Sequence, residues 1–396
     1  MDAKLTWKTV DWMNQALNRA DASNDVITKG DKYVRTPWEL CEEIVGQIAA
    51  QSPLQGKKIL VVDTVEFIPV LLAFGAEKCN ITYVAPYEYK GAMIAGVIGV
   101  RVVQQSLLDW RPDMKTEPPK FDVVVGNPPF QITAGKSKVS VGTKLIKKFF
   151  EYVEDAGFYA MISASNFLGG GQLGLGYMFT ENKTNKLNIN LKNYFPKVGI
   201  DVGYFILEKI PAPDSQIIEM ENKGSNFTLD PADFIYNGNR PYIPKNVCGS
   251  SLPILKKIIS YNKDVFAFRS SESKGMQNKV GFWAGANTGI HPKYIKLTTN
   301  GEFDSKWVDH PCGLDKTYPE ENIKAIFAGK LFHWVLFVIN GHQSDRRPAN
   351  LSYFPKVDLS RKWTFDDLAE EFKLTDDEKK VITDWALTRG KTEWFD

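Results

Sequence analysis

Between about Thr36 and Lys209, short apolar runs alternate with longer amphipathic stretches. Each run has the length of a strand and is rich in β-branched or aromatic residues. The runs are Ile59–Val62, Ile81–Val84, Val100–Val103, Phe121–Val125, Phe158–Ile162 and Tyr204–Leu207. Because strands that alternate with helices are typical of βαβ units, the pattern predicts an α/β fold with a mostly parallel sheet.

The stretches between the runs predict helices. Pro37 suits the first turn of a helix, and Thr36 can cap it. The apolar face of this helix would be formed by Leu40, Ile44 and Ile48. A second helix is predicted from about Gly142 to Glu154, with apolar residues on one side and lysines on the other.

The pattern changes after Lys209. Ile210–Pro213 is typical of a linker, and the region that follows is irregular, aromatic and rich in Asn, Gly and Pro. We therefore predict an α/β domain at 1–212 and a mixed α+β domain at 213–396. The second domain should end in helices, which Thr364 and Thr375 can cap.

Composition and charge indicate a globular protein. The chain has 396 residues, enough for two or three domains, and 43% of them are hydrophobic against 24% charged. Its 49 basic and 47 acidic side chains give a net charge of +2, which excludes a polycation or polyanion but not a local basic surface.

The cysteines and the N-terminus bear on the compartment. Four cysteines, at positions 41, 79, 248 and 312, are too few and too far apart for a disulfide scaffold, which suits a reducing environment. The sequence shows no apolar stretch typical of a signal peptide, and no window approaches the roughly 18 apolar residues of a membrane span. We expect a cytoplasmic protein of a prokaryotic or phage-infected cell.

The candidate chemistry lies in Gly126-Asn127-Pro128-Pro129-Phe130, directly after the fourth apolar run. Ligands of open α/β sheets bind at the carboxyl ends of strands. The two prolines stiffen the backbone and leave carbonyls free to accept hydrogen bonds. A planar ring could therefore stack on Phe130 while its amino group donates to Asn127 and the Pro128 carbonyl. The alternative is a stiff turn with a core phenylalanine, but the position at a strand end favours function.

These residues resemble motifs of the N6-adenine DNA methyltransferases of restriction-modification systems, in the subgroup whose cofactor half comes first. Asn127–Phe130 is similar to the catalytic Asn/Asp-Pro-Pro-Tyr/Phe motif, and Tyr33–Pro37 is similar to the N-terminal Thr-Pro motif. Weaker similarities lie at Ser163–Phe167, Tyr194–Phe205, Tyr353–Asp358, Lys362–Thr364 and Leu374–Glu378. The resemblance covers most of the chain. It implies a Rossmann-like methyltransferase domain with a seven-stranded type of sheet, followed by a target-recognition domain.

The resemblance also implies a mechanism and a cofactor. The target adenine would be flipped out of double-stranded DNA and stacked on Phe130. Within Asn127-Pro128-Pro129, the Asn127 side chain and the Pro128 carbonyl would then hold the amino group of the adenine, so that its nitrogen faces the methyl group of S-adenosylmethionine. No nucleophilic residue is then needed. Thr36 and Pro37 would lie near the methionine end of the cofactor.

The cofactor half departs from the family pattern. After the first strand the family has Asp-x-x-x-Gly-x-Gly, but Asp63–Pro69 contains no glycine. After the second strand the ribose-binding acid is missing, because Ala85-Pro86-Tyr87 precedes the late Glu88. The candidate cofactor residues are Thr36, Pro37, Asp63, Glu88, and, after the third strand, Ser106 and Asp109. For Asp63 the alternative is an ordinary cap of the following helix.

The residues leave three explanations open. In the first, the enzyme binds S-adenosylmethionine through an unusual loop, weakly or only with DNA or a partner. In the second it has lost methylation and serves as a DNA-binding subunit or decoy, and in the third it transfers another group to adenine. Retention of Asn127 and Phe130 favours the enzyme, because an inactive copy need not keep them.

Basic side chains are the candidate DNA contacts. Those after the catalytic loop are Lys136, Lys138, Lys144, Lys147 and Lys148, and weaker candidates are Arg346 and Arg347. They either contact phosphates or form a solvated helix face. The four histidines lack metal-ligand spacing, so we expect no metal, and Cys312 is expected to be a buried structural residue. A partner subunit or companion endonuclease is compatible with the family.

Overall fold

The computed structural model describes residue 15 and residues 35–86, 91–111, 119–134, 137–168, 175–196, 198–234, 243–261, 264, 266, 276–282, 295–298, 312–340 and 354–388. The chain divides into two compact units. The first comprises the described parts of 1–167 and 181–221, and the second those of 168–180 and 222–396. The division after residue 221 lies beyond the predicted boundary at 212, and a short internal segment belongs to the second unit.

The first unit is built on one sheet. Its strands are β1 (Ile59–Val62), β2 (Ile81–Ala85), β3 (Arg101–Gln104), β4 (Phe121–Gly126), β7 (Val153–Ala164), β8 (Asn182–Asn188), β9 (Val202–Pro211) and β10 (Ile218–Asn222). β5 (Gln131–Ala134) and β6 (Ser137–Ser140) form a separate antiparallel hairpin. The order within the unit is β10-β8-β9-β7-β4-β1-β2-β3. β3, β2, β1, β4 and β7 are parallel neighbours, whereas β9 is antiparallel to both β7 and β8.

Helices cover both faces of this sheet. They are α1 (Trp38–Gln51), α2 (Phe67–Ala73), α3 (Gly91–Ile98) and α4 (Gly142–Phe150). Residues of α1, α2 and α3 share a buried cluster with Ile59 and Val61 of β1. Tyr159 of β7 donates to the Ile146 carbonyl of α4 at 2.7 Å, which places α4 on the other face. Continuous apolar runs such as β1 are expected where both faces of a parallel sheet are buried.

The strand order defines the fold class. A parallel β3-β2-β1-β4-β7 series followed by an antiparallel strand between β7 and β8 is the arrangement of Rossmann-like methyltransferase folds. The predicted fold class of this unit is therefore confirmed.

Several elements differ from the sequence-based prediction. The predicted linker begins inside β9, which continues to Pro211. α4 ends at Phe150 instead of near Glu154, because β7 already begins at Val153. The prediction that Thr36 caps α1 was wrong: the residue that precedes the helix is Pro37, and no side chain caps it.

The second unit is a mixture of helices and short strands. Its elements are α5 (Gly176–Glu181), β11 (Ser225–Leu229), α6 (Ser251–Tyr261), β12 (Asn278–Phe282), β13 (Ile295–Thr298), β14 (Cys312–Leu314), α7 (Glu320–Phe327), α8 (Lys330–Asn340), α9 (Phe365–Glu371) and α10 (Asp376–Thr388). β13, β12 and β14 form an antiparallel sheet. Thr364 caps α9 in a reciprocal capping box, and Thr375 exchanges similar bonds with Glu378, so both predicted caps are confirmed.

Within the described residues, one helical stretch is long and apolar enough to cross a membrane. It is Glu320–Ile339, with a mean hydropathy of 1.4, and 83% of the window is buried inside the protein. Such burial is typical of a core helix. Trp334 and Ile339 of this stretch are among the buried side chains of the second unit.

Candidate functional site

The Asn-Pro-Pro-Phe loop begins where β4 passes closest to β1. Gly126 pairs with Val62 at the ends of these parallel strands, and a side chain at Gly126 would overlap the Val62 carbonyl oxygen. The same carbonyl accepts a hydrogen bond from the Asn127 backbone amide at 3.2 Å. Gly126 therefore permits the close approach that fixes the start of the loop at the carboxyl edge of the sheet.

The side chain of Asn127 is oriented by the segment that precedes α1. Its amide nitrogen donates to the hydroxyl oxygen of the buried Thr36 at 3.1 Å. Because the side-chain nitrogen is used in this way, the side-chain oxygen of Asn127 is the end available to accept a hydrogen bond from a ligand. The structure thus brings together the two motifs that the sequence places 91 residues apart.

The other end of the loop is fixed by its backbone. The Phe130 carbonyl accepts hydrogen bonds from the amides of Val141 and Gly142, at 3.1 and 3.2 Å. These bonds close the base of the β5–β6 hairpin and tie the loop to the start of α4. Pro128 is buried, while the Phe130 ring is partly buried and packs against the core cluster. The loop is therefore held at both ends, and it carries the ring of Phe130 and the side-chain oxygen of Asn127.

The loop after β1 is buried inside the protein. Asp63 has a left-handed backbone conformation with φ of 54° and donates its amide to the Val84 carbonyl at 2.9 Å. Thr64, Val65 and Glu66 are fully buried. Val65 and Phe67 belong to the hydrophobic core under α1, so side chains fill the place where the family has a glycine turn. No side chain caps α2, which excludes the simple capping role considered for Asp63.

Glu66 forms an ion pair with Arg35. The distance from Arg35 Nε to Glu66 Oε1 is 3.5 Å, and the arginine side chain is 27% exposed whereas the glutamate is 0% exposed. Arg35 directly precedes Thr36, which orients Asn127. The ion pair therefore lies beside the segment that contacts the Asn-Pro-Pro-Phe loop.

Burial and charge perturb the titration of this region. Burial, reinforced by the negative charge of Glu66, raises the pKa of Asp63 well above its usual range. The Tyr83 hydroxyl has its pKa raised by burial and by both Asp63 and Glu66. The Tyr83 and Thr64 hydroxyls have no hydrogen-bond partner within the described part of the chain. The ends of β1 and β2 are thus a buried polar region with a deficit of hydrogen-bond partners.

In this arrangement the described residues do not fit S-adenosylmethionine, the cofactor that the resemblance implies. Thr64–Glu66 present side chains where a ligand would need backbone access. β2 ends at Ala85, and the residue that follows is Pro86 instead of an acid that could bind a ribose. Arg35, which reaches this loop, is already paired with Glu66.

The remaining cofactor candidates are only partly visible. Glu88 lies outside the described residues. Ser106 is half-buried in the turn after β3, where its carbonyl accepts from the amides of Asp109 and Trp110 at 3.0 and 2.8 Å. The Asp109 side chain is exposed. A cofactor role for Ser106 and Asp109 stays a prediction.

The lysines on α4 have different surroundings. Lys148 Nζ donates to the carbonyls of Leu107 and Leu108 at 2.8 and 2.7 Å. Burial, with the charge of Arg111, lowers the pKa of Lys148 to about 8. Lys144 is exposed and Lys147 is half-buried. The DNA contacts stay a prediction, but the ammonium group of Lys148 also serves the protein's own turn.

Four predicted DNA contacts cannot be placed in this way. Lys136, Arg346 and Arg347 lie outside the described residues, and of Lys138 only the backbone in β6 is described. Cys312 is buried in β14, as expected for a structural cysteine, and burial raises its pKa. Among the described residues, no group of three or more His, Cys, Asp and Glu side chains could hold a metal ion.

Sequence reasoning missed the role of Arg35. Arg35 stands within Tyr33–Pro37, and Glu66 stands within the unusual loop Asp63–Pro69. The signal that could have joined them is a lone arginine beside the Thr-Pro motif and a lone acid in an apolar loop. Their pairing depends on the fold, which brings the approach to α1 against the end of β1.

Comparisons with known proteins concern the structure. No family model and no curated protein matches this sequence. A protein assigned as the modification subunit of a type I restriction enzyme from Vibrio vulnificus is 10% identical with a TM-score of 0.48, covering 64% of this chain and 67% of that chain. The methyltransferase subunit of a type I restriction-modification system from Streptococcus thermophilus is 16% identical with a TM-score of 0.37, covering 50% of each chain.

A third similar structure is a protein from Listeria monocytogenes assigned as a class I S-adenosylmethionine-dependent methyltransferase. It is 12% identical with a TM-score of 0.38, covering 56% of this chain and 75% of that chain. This chain spans about half the length of the Streptococcus subunit. These neighbours are restriction-modification methyltransferase subunits and methyltransferases, and the likeness is one of fold.

Proposed function

We propose that the protein transfers a methyl group to the exocyclic amino group of a flipped adenine in double-stranded DNA, with S-adenosylmethionine as the methyl donor, and that DNA or a partner must rearrange the closed loop after β1 before this donor binds. The observation that carries this proposal is the orientation of Asn127. Its amide nitrogen donates to Thr36, so its oxygen remains to accept from a substrate amino group. A stiff loop with this acceptor at the carboxyl end of a parallel strand suits recognition of a planar base.

The roles of the loop follow from its geometry. The adenine ring stacks on Phe130, whose backbone is fixed by the start of α4. Its amino hydrogens are donated to the Asn127 side-chain oxygen and the Pro128 carbonyl, which orients the nitrogen lone pair away from the ring plane. The contribution of these residues is positioning, because no group of the protein forms a bond with the base.

The test is transfer of label from radioactive S-adenosylmethionine to unmodified DNA, with Asn127→Ala as the informative variant. We expect the variant to lose at least a hundredfold in transfer rate while its DNA affinity changes less than threefold, because phosphate contacts dominate binding. Asn80→Ala is the matched control, since its side chain donates to Glu77 at the surface. Unchanged transfer by Asn127→Ala would remove the basis of the proposal.

A second candidate function is favoured by the closed loop after β1. If Glu66 and Arg35 stay paired, the chain would bind and flip DNA bases without methylating them, as a subunit or decoy. This function predicts tight DNA binding and fluorescence of a flipped 2-aminopurine, but no label transfer under any condition. Label on adenine would exclude it.

A further inference from the structure

The N-terminus of α4 leaves two backbone donors unused. The first four amides of a helix have no acceptor within the helix itself. At α4 the Phe130 carbonyl accepts from the amides of Val141 and Gly142, at 3.1 and 3.2 Å, and no side chain caps the helix. The amides of Thr143 and Lys144 therefore have no acceptor within the described part of the chain.

These two amides face the edge of the sheet where ligands bind. α4 lies between β4 and its parallel neighbour β7 in the chain, so it runs antiparallel to both strands. Its N-terminus is therefore at the carboxyl edge of the sheet, beside the Asn-Pro-Pro-Phe loop.

A buried hydroxyl lies at the same helix end. Ser163 of β7 is 4% exposed, and its Oγ is 3.8 Å from the position that a Cβ would take on Gly142. The Cβ of a helical residue is tilted towards the N-terminus of its helix, which places the hydroxyl at the end of α4. Among the described residues the hydroxyl has no hydrogen-bond partner. Because buried polar side chains normally have one, the hydroxyl indicates a site for a ligand.

We infer that the amides of Thr143 and Lys144 and the hydroxyl of Ser163 form a phosphate site, which binds a phosphodiester of the DNA strand that carries the target base. This inference rests on the proposed function, because it names the part of the DNA that lies beside the Asn-Pro-Pro-Phe loop.

The electrostatics of the helix end favour an anion. The positive end of the helix dipole and the unused amides attract negative charge, and α4 has nine residues. Its first turn contains no acidic residue, and the side chain of Lys144 is exposed there. All three proposed donors are neutral groups, which suits the single negative charge of a phosphodiester.

The position of the site supports DNA as the source of the phosphate. The Cα and the carbonyl oxygen of Phe130 are 3.5 and 3.7 Å from the same Cβ position on Gly142. A phosphate at Ser163 would therefore adjoin the residue on which the base stacks. Within a nucleotide only the sugar separates the base from its phosphate, so one nucleotide could fill both places.

The first experiment measures the affinity of the full chain for unmodified duplex DNA at several salt concentrations, without a methyl donor. Ser163→Ala should weaken binding to all sequences by about tenfold, because it removes a hydrogen bond to a charged group. The salt slope should stay unchanged, because a hydroxyl does not neutralise a phosphate as a lysine does. Ser52→Ala, just beyond the last residue of α1, is the matched control and should bind as the parent does.

Two further variants guard against a loss of folding. An alanine Cβ at Gly142 would be no closer than 3.5 Å to its neighbours, so Gly142→Ala should fold and place a methyl group beside the hydroxyl. Thr143→Asp adds an acid to the first helical turn, which stabilises a helix but repels a phosphate. Both should weaken DNA binding without lowering the melting temperature. Thr143→Asn, which carries no charge, should bind DNA more tightly than Thr143→Asp.

Inorganic phosphate distinguishes a free anion from DNA. Its binding to the parent and to Ser163→Ala is followed by the width of the phosphorus NMR line. If Ser163→Ala loses inorganic phosphate but keeps the DNA affinity of the parent, the site takes a free phosphate and the inference is wrong. Unchanged DNA affinity in both Ser163→Ala and Thr143→Asp would also overturn it.

The inference and the proposed function can fail separately. Label transfer to DNA by the parent, with unchanged DNA affinity in these variants, would contradict only the phosphate site. Weaker DNA binding by Ser163→Ala with an unchanged salt slope, but no label transfer by the parent, would support the phosphate site and contradict the proposed function.

Discussion

Asp63 combines two features that rarely occur together, a left-handed backbone and a buried carboxyl group. Its φ of 54° is uncommon for residues other than glycine, although Asp and Asn tolerate it better than most. Asp63 as a whole is 8% exposed, and its carboxyl group lies near the negative charge of Glu66. Both features arise because Asp63 turns the chain at the end of β1, where a ligand loop is expected.

The first prediction is that Asp63→Asn stabilises the protein at neutral pH. The pKa of Asp63 is raised in the folded state, above the value of about 3.9 for an unfolded chain. Its stabilising contribution is therefore fully present below about pH 4 and is lost as the pH rises through the folded pKa. Asparagine keeps the shape and tolerates positive φ, but it cannot ionise.

The measurement is the melting temperature from pH 4 to pH 8. Asp63→Asn should melt higher than the parent at pH 7 to 8, and the difference should shrink towards pH 4. Asp214→Asn, at an exposed aspartate of the same unit, is the matched control. A variant that melts below the parent at pH 7 would show that the ionised carboxylate is required.

At the residue scale the sequence predicted the side chains of the candidate site better than it predicted their hydrogen-bond partners. Asn127 and Phe130 are recognisable from Gly126–Phe130 alone. Thr36 was also recognised, as part of the Thr-Pro motif and as a helix cap, because a Thr-Pro pair before an apolar face satisfies every local rule for a cap. The hydroxyl instead accepts from Asn127, a partner 91 residues away that local propensity cannot identify.

At the element scale α4 connects the Asn-Pro-Pro-Phe loop with the turn after β3. Its first residue, Gly142, donates its amide to the Phe130 carbonyl, and its Lys148 donates to the carbonyls of Leu107 and Leu108. Trp110 in the same turn stacks on Phe149 with ring centroids 5.7 Å apart. α4 therefore fixes two of the strand ends at which ligands of such folds bind.

The second prediction separates Lys148 from Lys144 on this helix. Lys148→Ala should lower the free energy of unfolding by about 1.5 to 3 kcal/mol, the usual net contribution of hydrogen bonds from a charged group. Lys144 is exposed, so Lys144→Ala should leave stability unchanged. It should instead weaken binding to all DNA sequences and reduce the salt slope by roughly 0.9 per lost phosphate contact.

Denaturant unfolding and binding at several salt concentrations test this separation. Equal stability losses in the two variants would contradict the structural role of Lys148. If the dependence of DNA affinity on salt is unchanged in Lys144→Ala, Lys144 does not contact a phosphate and belongs to a solvated helix face.

The elements that the sequence predicted are those with a continuous apolar pattern. β1 was predicted to the residue, because both of its faces are buried under helices and Ile59–Val62 is apolar throughout. β8 was missed, because Asn182–Asn188 is almost entirely polar and Leu187 is its one apolar residue. It is a strand because β9 and β10 supply partners on both sides, which is a tertiary effect.

At the scale of the whole molecule the chain has two compact units. In the second unit, Phe354 is buried and the Trp363 indole donates to the Asp358 carbonyl at 2.6 Å, within the tail that resembles the family's C-terminal end. The domain division was predictable only approximately, because the chain leaves the first unit at Leu168–Thr180 and re-enters it before the final crossing. A glycine-rich, irregular sequence in this segment gives no sign of a domain crossing.

The last prediction assigns sequence choice to the second unit. Phosphate contacts carry no sequence information, whereas a side chain bound to a base edge discriminates by about 1 to 3 kcal/mol. If residues from about 213 to 396 recognise the target, Arg346→Ala and Arg347→Ala should relax the preference at one or two base pairs of the methylated site. Lys144→Ala should lower the overall yield and leave the preference intact. Mapping of methylated adenines in genomic DNA measures both effects at once. If all of these variants lose yield without any change of methylated site, the arginines contact only phosphates or the target is chosen elsewhere in the chain.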